Sequence, residues 1–129
     1  MSSYTITKRL EETAFDDAVS RTRTALQGEG FGVLTEIDVK QTMKAKIGAD
    51  IDDYLILGAC NPQMAHRALE LEPQVGAMLP CNVIVRSVDG AVEVSAIDPV
   101  ASMQAIDNAE LKRVAGTVRD KLRRVVESL

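Results

Sequence analysis

Two cysteines and a single histidine are the side chains in this sequence best suited to chemistry. Cys60 and His66 lie within "GACNPQMAHRAL", and Cys81 follows in "MLPCNVIV". Two thiols and an imidazole admit three outcomes. As thiolates and neutral imidazole, Cys60, His66 and Cys81 make a metal site whose fourth position is open or filled by a carboxylate. Zinc accepts that donor set in tetrahedral geometry. As a dithiol, Cys60 and Cys81 can form and break a disulfide, although they lack the C-x-x-C spacing of thiol oxidoreductases. Alternatively both pack as small apolar residues, since free cysteine is among the most buried types. His66 then pairs with Glu70 one helical turn along.

The neighbouring residues determine how each group is held. Asn61 is a good N-cap and Pro62 suits the first helical position, so Cys60 stands just before a helix N-terminus. The dipole and unpaired N–H groups there favour a thiolate. Helical side chains lean toward the N-terminus, which directs His66 back toward that end. Cys81 opens "CNVIVRSVDGAVEVSAID", where Asp89-Gly90 between two alternating runs predicts a hairpin with a primed turn. Placing Val88 opposite Ala91 pairs Arg86 with Glu93 and gathers Val83, Val85, Val92, Val94 and Ala96 on one buried face. Cys81 shares that face, opposite Asp98. Asn61 and Asn82, each following a cysteine, are candidate ligand contacts. Lys44 and Lys46, on the short helix "VKQTMKAKIG", are candidate anion contacts.

The other elements supply the frame. "SYTITK" alternates as a first strand. Thr13 is the expected cap of a helix with Phe15, Ala18, Val19, Thr22 and Leu26 at helical spacing, ended at Gly28 or Gly30. The glycines of "GEGFG" follow a helix and precede a strand, the wrong order for a phosphate-binding loop. "GVLTEIDV" predicts a strand with Val33, Thr35 and Ile37 on one face. Asp38 then caps the short helix, which Gly48 closes. "DDYLILGAC" predicts a central strand, and the helix after it ends before Pro73. Asp98-Pro99 opens a helical turn, and Asp107 with Glu110 forms a capping box. The last helix carries Leu111, Val114, Ala115, Val118, Leu122, Val125 and Val126 on one stripe. This order predicts an α+β fold: a two-layer sandwich with a mixed or antiparallel sheet of about five strands and helices on one face.

Composition bounds the function. The length of 129 residues suits one domain, expected to span 1–129, and the 46% apolar content supplies its core. No run approaches the ~20 apolar residues of a membrane helix. "MSSYTITKRLEE" lacks the pattern of a signal peptide, so the expected location is the cytoplasm. The net charge is −4 and aromatics are 3%, which argues against nucleic acid as a partner. The basic run "KRVAGTVRDKLRR" reads as the solvated face of the last helix.

Taken together, "TMKAKIG", "YLILGACNPQMAHRALELEP", "VGAMLPCNVIV" and "AIDP" are similar to the family catalogued as domain of unknown function 302. The likeness runs from about Gly30 to Pro99, and its most specific feature is the pairing of "GACNP" with "LPCN". It implies a small two-layer α/β domain that forms homodimers, and no established reaction. A homodimer also follows from the long striped helix and small sheet, which are expected to leave apolar surface to bury. The functional expectation is a homodimeric module binding a small ligand or a metal such as zinc, with thiol redox at Cys60 and Cys81 as the alternative.

Overall fold

The computed structural model describes residues 4–129, so Ser3 of the expected first strand lies outside the described residues. Five strands form one sheet: β1 (Thr5–Leu10), β2 (Gly32–Asp38), β3 (Tyr54–Cys60), β4 (Cys81–Val88) and β5 (Ala91–Ile97). Their spatial order is β1-β5-β4-β3-β2, and every neighbouring pair is antiparallel. The helices are α1 (Phe15–Gly28), α2 (Val39–Ile47), α3 (Pro62–Leu71), α4 (Pro99–Ser102) and α5 (Ala109–Glu127), with a 3-10 segment over Pro73–Met78. No described helix is long and apolar enough to cross a membrane.

Alternation along the strands builds the core. Leu55, Leu57 and Ala59 of β3, Val83 and Val85 of β4, and Val92, Val94 and Ala96 of β5 are buried on one face. Ala18 and Leu26 of α1 and Val118, Leu122, Val125 and Val126 of α5 close over them in a single cluster. Each leucine-sized side chain so removed from water contributes about 1.5–3 kcal/mol. A second cluster joins Ala68 of α3, Val75, Met103, and Leu111 and Ala115 of α5. Helix α5 therefore spans both clusters: its C-terminal half packs on the sheet, and its N-terminal half packs on α3.

Local chemistry sets most boundaries. Asp38 caps α2 by accepting from Gln41 N–H at 2.9 Å, and Gly48 ends it with φ of 68°. Asn61 caps α3, and Pro62 takes the first position. Two caps differ from expectation. Helix α1 begins after Ala14, because the Thr13 hydroxyl donates to the Glu11 carbonyl instead. Helix α5 is capped by Asn108 rather than Asp107: its Oδ1 accepts from Leu111 N–H at 3.0 Å while its amide donates to the Leu71 carbonyl at 3.1 Å. Only the amide of Asn108 can do both, and it ties the start of α5 to the end of α3.

Strand β2 also departs from simple alternation. A register shift between Val33 and Thr35 leaves Val33 opposite Ala59 and Thr35 opposite Gly58. Val33 therefore stays on the helix-covered face, while Thr35 and Ile37 are on the other. The bulge turns one strand's pattern over partway along its length.

The hairpin forms in the expected register, with Val88 opposite Ala91 and Arg86 Nε donating to Glu93 Oε1 at 3.0 Å. Asp89 and Gly90 have φ of 47° and 78°, as a primed turn requires. Gly90→Val should lower stability by about 1–2 kcal/mol, because a β-branched residue resists positive φ. Urea denaturation reads this directly, and an unchanged midpoint would contradict the turn assignment.

Candidate functional site

A cavity of about 310 Å3 lies where the two core clusters adjoin. The end of β3 and the start of β4 contribute Ala59, Cys60 and Cys81, and the facing helices contribute Ala65 and Ala68 from α3 and Ala115 from α5. Longer side chains, Met64 and Leu69 of α3 and Leu111 and Val118 of α5, also line it. Leu34, in the bulge of β2, also lines it.

Both cysteines reach this cavity. Cys81 is opposite Ala59 in the β3–β4 ladder, so it neighbours the strand end that carries Cys60. Both are free thiols; Cys81 is buried and Cys60 is half-buried. Burial, and then the nearby Cys60, push the Cys81 thiol up to about 11. A thiol in that condition is neutral at ordinary pH and a poor nucleophile.

His66 does not join them. Helix α3 turns Met64, Ala65 and Ala68 toward the cavity. At 100° per residue, His66 falls on the opposite side of that helix. Its side chain is 79% exposed and its Nδ1 is 3.8 Å from Glu70 Oε1. The lean toward the helix N-terminus is outweighed by the face on which the residue sits. Among the described residues, no three His, Cys, Asp or Glu side chains are grouped so as to hold a metal ion.

Asn61 lines the cavity, with its Oδ1 held by Met64 N–H at 3.3 Å. Asn82 is exposed and opposite Gly58, on the face of the sheet away from the core. Lys44 pairs with Asp50 at 3.0 Å, Lys46 is exposed, and neither lines the cavity. Asp98 is committed to capping α4, accepting from Val100 N–H at 2.9 Å. Cys60, Asn61 and Cys81 are thus brought together, and His66, Asn82, Lys44 and Lys46 are not.

Residues that sequence reasoning missed complete the site: Phe31, Met64, Leu79, Pro80, Met103 and Val114. No local spacing links them, because they come from separate segments. Val114 and Ala115 were legible only as part of the apolar stripe of α5.

No curated protein matches the chain. Among solved structures, it resembles the crystal structure of an uncharacterized conserved protein, DUF302, from Bacillus stearothermophilus. The TM-score is 0.91 at 26% identity, with 98% of each chain covered. The family model described as "Domain of unknown function DUF302" matches residues 6–129. With that match running from β1 to the end of α5, the chain belongs to the DUF302 family.

Proposed function

We propose that this chain is a binding module for a small, neutral, mainly apolar molecule held between the sheet end and helices α3 and α5. One observation carries the reading: the lining of the 310 Å3 cavity contains no charged side chain. Its polar groups are the Asn61 side chain and the two thiols. This is the usual make-up of a ligand site: apolar walls with few polar groups to orient the guest. A neutral fluorescent probe, N-phenyl-1-naphthylamine, should brighten on binding and lose that signal in Ala115→Phe, which fills the cavity from α5. Circular dichroism would check that the variant is folded. Absence of binding, or equal binding to a folded Ala115→Phe, would remove the proposal.

Thiol redox at Cys60 and Cys81 is a second reading, supported by the adjacency of Cys81 to the strand end bearing Cys60. Mild peroxide should then remove both thiols together within one chain, and loss of Cys60 alone would exclude it. The zinc reading on Cys60, His66 and Cys81 has no comparable support, since His66 faces away.

We further propose that the module is a homodimer, with a different surface from the one the sequence suggested. The α5 stripe is buried within its own chain. In segment 34–51, however, Leu34 is 66%, Ile37 48% and Ile47 73% exposed, and β2 is an edge strand. An apolar edge is a template for pairing with a second copy. Light scattering should give about twice the 14.0 kDa chain mass, and Ile47→Asp should return it to that of the single chain. A single-chain mass for the unmodified protein would overturn this.

A further inference from the structure

The polar groups of the cavity are gathered at one end. Cys60 and Asn61 are consecutive between β3 and α3, and Cys81 is opposite Ala59, the residue before Cys60. The far wall, made by Ala68 of α3, Met103, and Leu111 and Ala115 of α5, belongs to the second core cluster and is apolar. Asn61 supplies the only carboxamide in the lining, and its role as a cap fixes which way round that amide stands. Its Oδ1 accepts from Met64 N–H at 3.3 Å, so the other arm is the NH2 group. That Nδ2 donates to no acceptor among the described residues. Gly30 keeps the space beside it open, since a Cβ there would come within 3.2 Å of Nδ2. Phe31, the next residue, is buried and lines the cavity.

Resting on the reading of this chain as a binding module, we propose that the cavity selects a neutral carbonyl compound, and that Asn61 Nδ2 is the donor that orients it. The guest is an apolar body bearing a ketone, aldehyde, ester or amide oxygen. The inventory of lining side chains decides the class. The carboxamide nitrogen and the thiols are donors, and the one strong side-chain acceptor, Asn61 Oδ1, is already engaged. A guest that brings an acceptor gains a hydrogen bond, whereas one that brings only an N–H or O–H finds no free side-chain acceptor in the lining. The N-terminus of α3 adds partial positive charge at the same end, which favours the oxygen of a carbonyl dipole. A carboxylate is disfavoured because no cation lines the cavity and its full charge would be buried unpaired. The carbonyl oxygen therefore faces the sheet end, and the apolar body runs toward α5.

The test compares two neutral fluorescent probes on the full chain. Prodan is a dialkylaminonaphthalene ketone, while N-phenyl-1-naphthylamine has an N–H donor and no carbonyl. Asn61→Asp keeps an oxygen to cap α3 and removes both amide donors. It should weaken prodan binding by about tenfold or more and leave N-phenyl-1-naphthylamine within about twofold, so the ratio of the two affinities falls about tenfold. A merely structural role for Asn61 would lower both affinities together, and that result would overturn the assignment. Circular dichroism checks the fold. Should Asn61→Asp not fold, Asn61→Ser, which also keeps a capping oxygen, makes the same comparison. Equal prodan binding by wild type and a folded variant would sink this inference alone, as would N-phenyl-1-naphthylamine binding without prodan binding. If neither probe binds, the binding-module reading falls with it.

Discussion

Gly58→Ala is expected to destabilise the protein by about 3 kcal/mol, the upper end of the range for overpacking a close contact. The position is in β3, opposite Thr35 on β2 and Asn82 on β4. A Cβ there would collide with the Thr35 hydroxyl and lie 2.8 Å from Pro80 Cγ. Neither neighbour yields easily, since one is β-branched and the other a closed ring. Pro80 immediately precedes Cys81 and lines the cavity, so relief of the clash by moving Pro80 disturbs the site as well. The denaturation midpoint should fall, and affinity for the neutral probe should fall with it. Adding Thr35→Ala should recover only part of the loss, because the contact with Pro80 remains. A wild-type midpoint for Gly58→Ala would show that β2, β3 and the segment before β4 do not approach as described.

The second large effect is on Cys81. At pH 8, alkylation of Cys81 in the native protein should be at least about a hundredfold slower than that of Cys60, which is half-buried. The cause is the thiol's rise from 9.0 to about 11, reinforced by its burial. The same shift makes stability depend on pH. Between 9.0 and about 11 the unfolded chain loses the Cys81 proton while the folded chain keeps it. The unfolded state then binds fewer protons, so stability falls as pH rises through that window and is unaffected by this group below it. The full drop attributable to Cys81 is about 2–3 kcal/mol. Other side chains titrate in the same range, so the measurement is the difference in unfolding free energy between wild type and Cys81→Ala, followed from pH 8 to 11. Parallel curves, or equal labelling of the two cysteines, would contradict the burial of this thiol.

What the sequence determined by itself is what rests on neighbours in the chain. The Asn61-Pro62 start of α3, the Asp38 cap, the Gly48 stop and the Asp89-Gly90 turn each depend on a few adjacent residues, and each forms as expected. Alternation in Cys81–Val88 and Ala91–Ile97 determined which face is buried, and hence the two-layer α+β class and the location of Cys81. The tertiary structure decided where contacts come from distant segments. The shift between Val33 and Thr35 is a matter of pairing with β3, not of β2's own pattern. Asn108 displaces Asp107 as the α5 cap because Leu71, far away in the chain, offers its carbonyl. His66 turns outward because α3 must face α5 with Met64, Ala65 and Ala68, a choice invisible until the partner helix is in place. The cavity itself is a product of volume. Its lining joins the ends of β3 and β4, the bulge of β2, and faces of α3 and α5, and a gap between segments so far apart in sequence leaves no mark on the local pattern of any one of them.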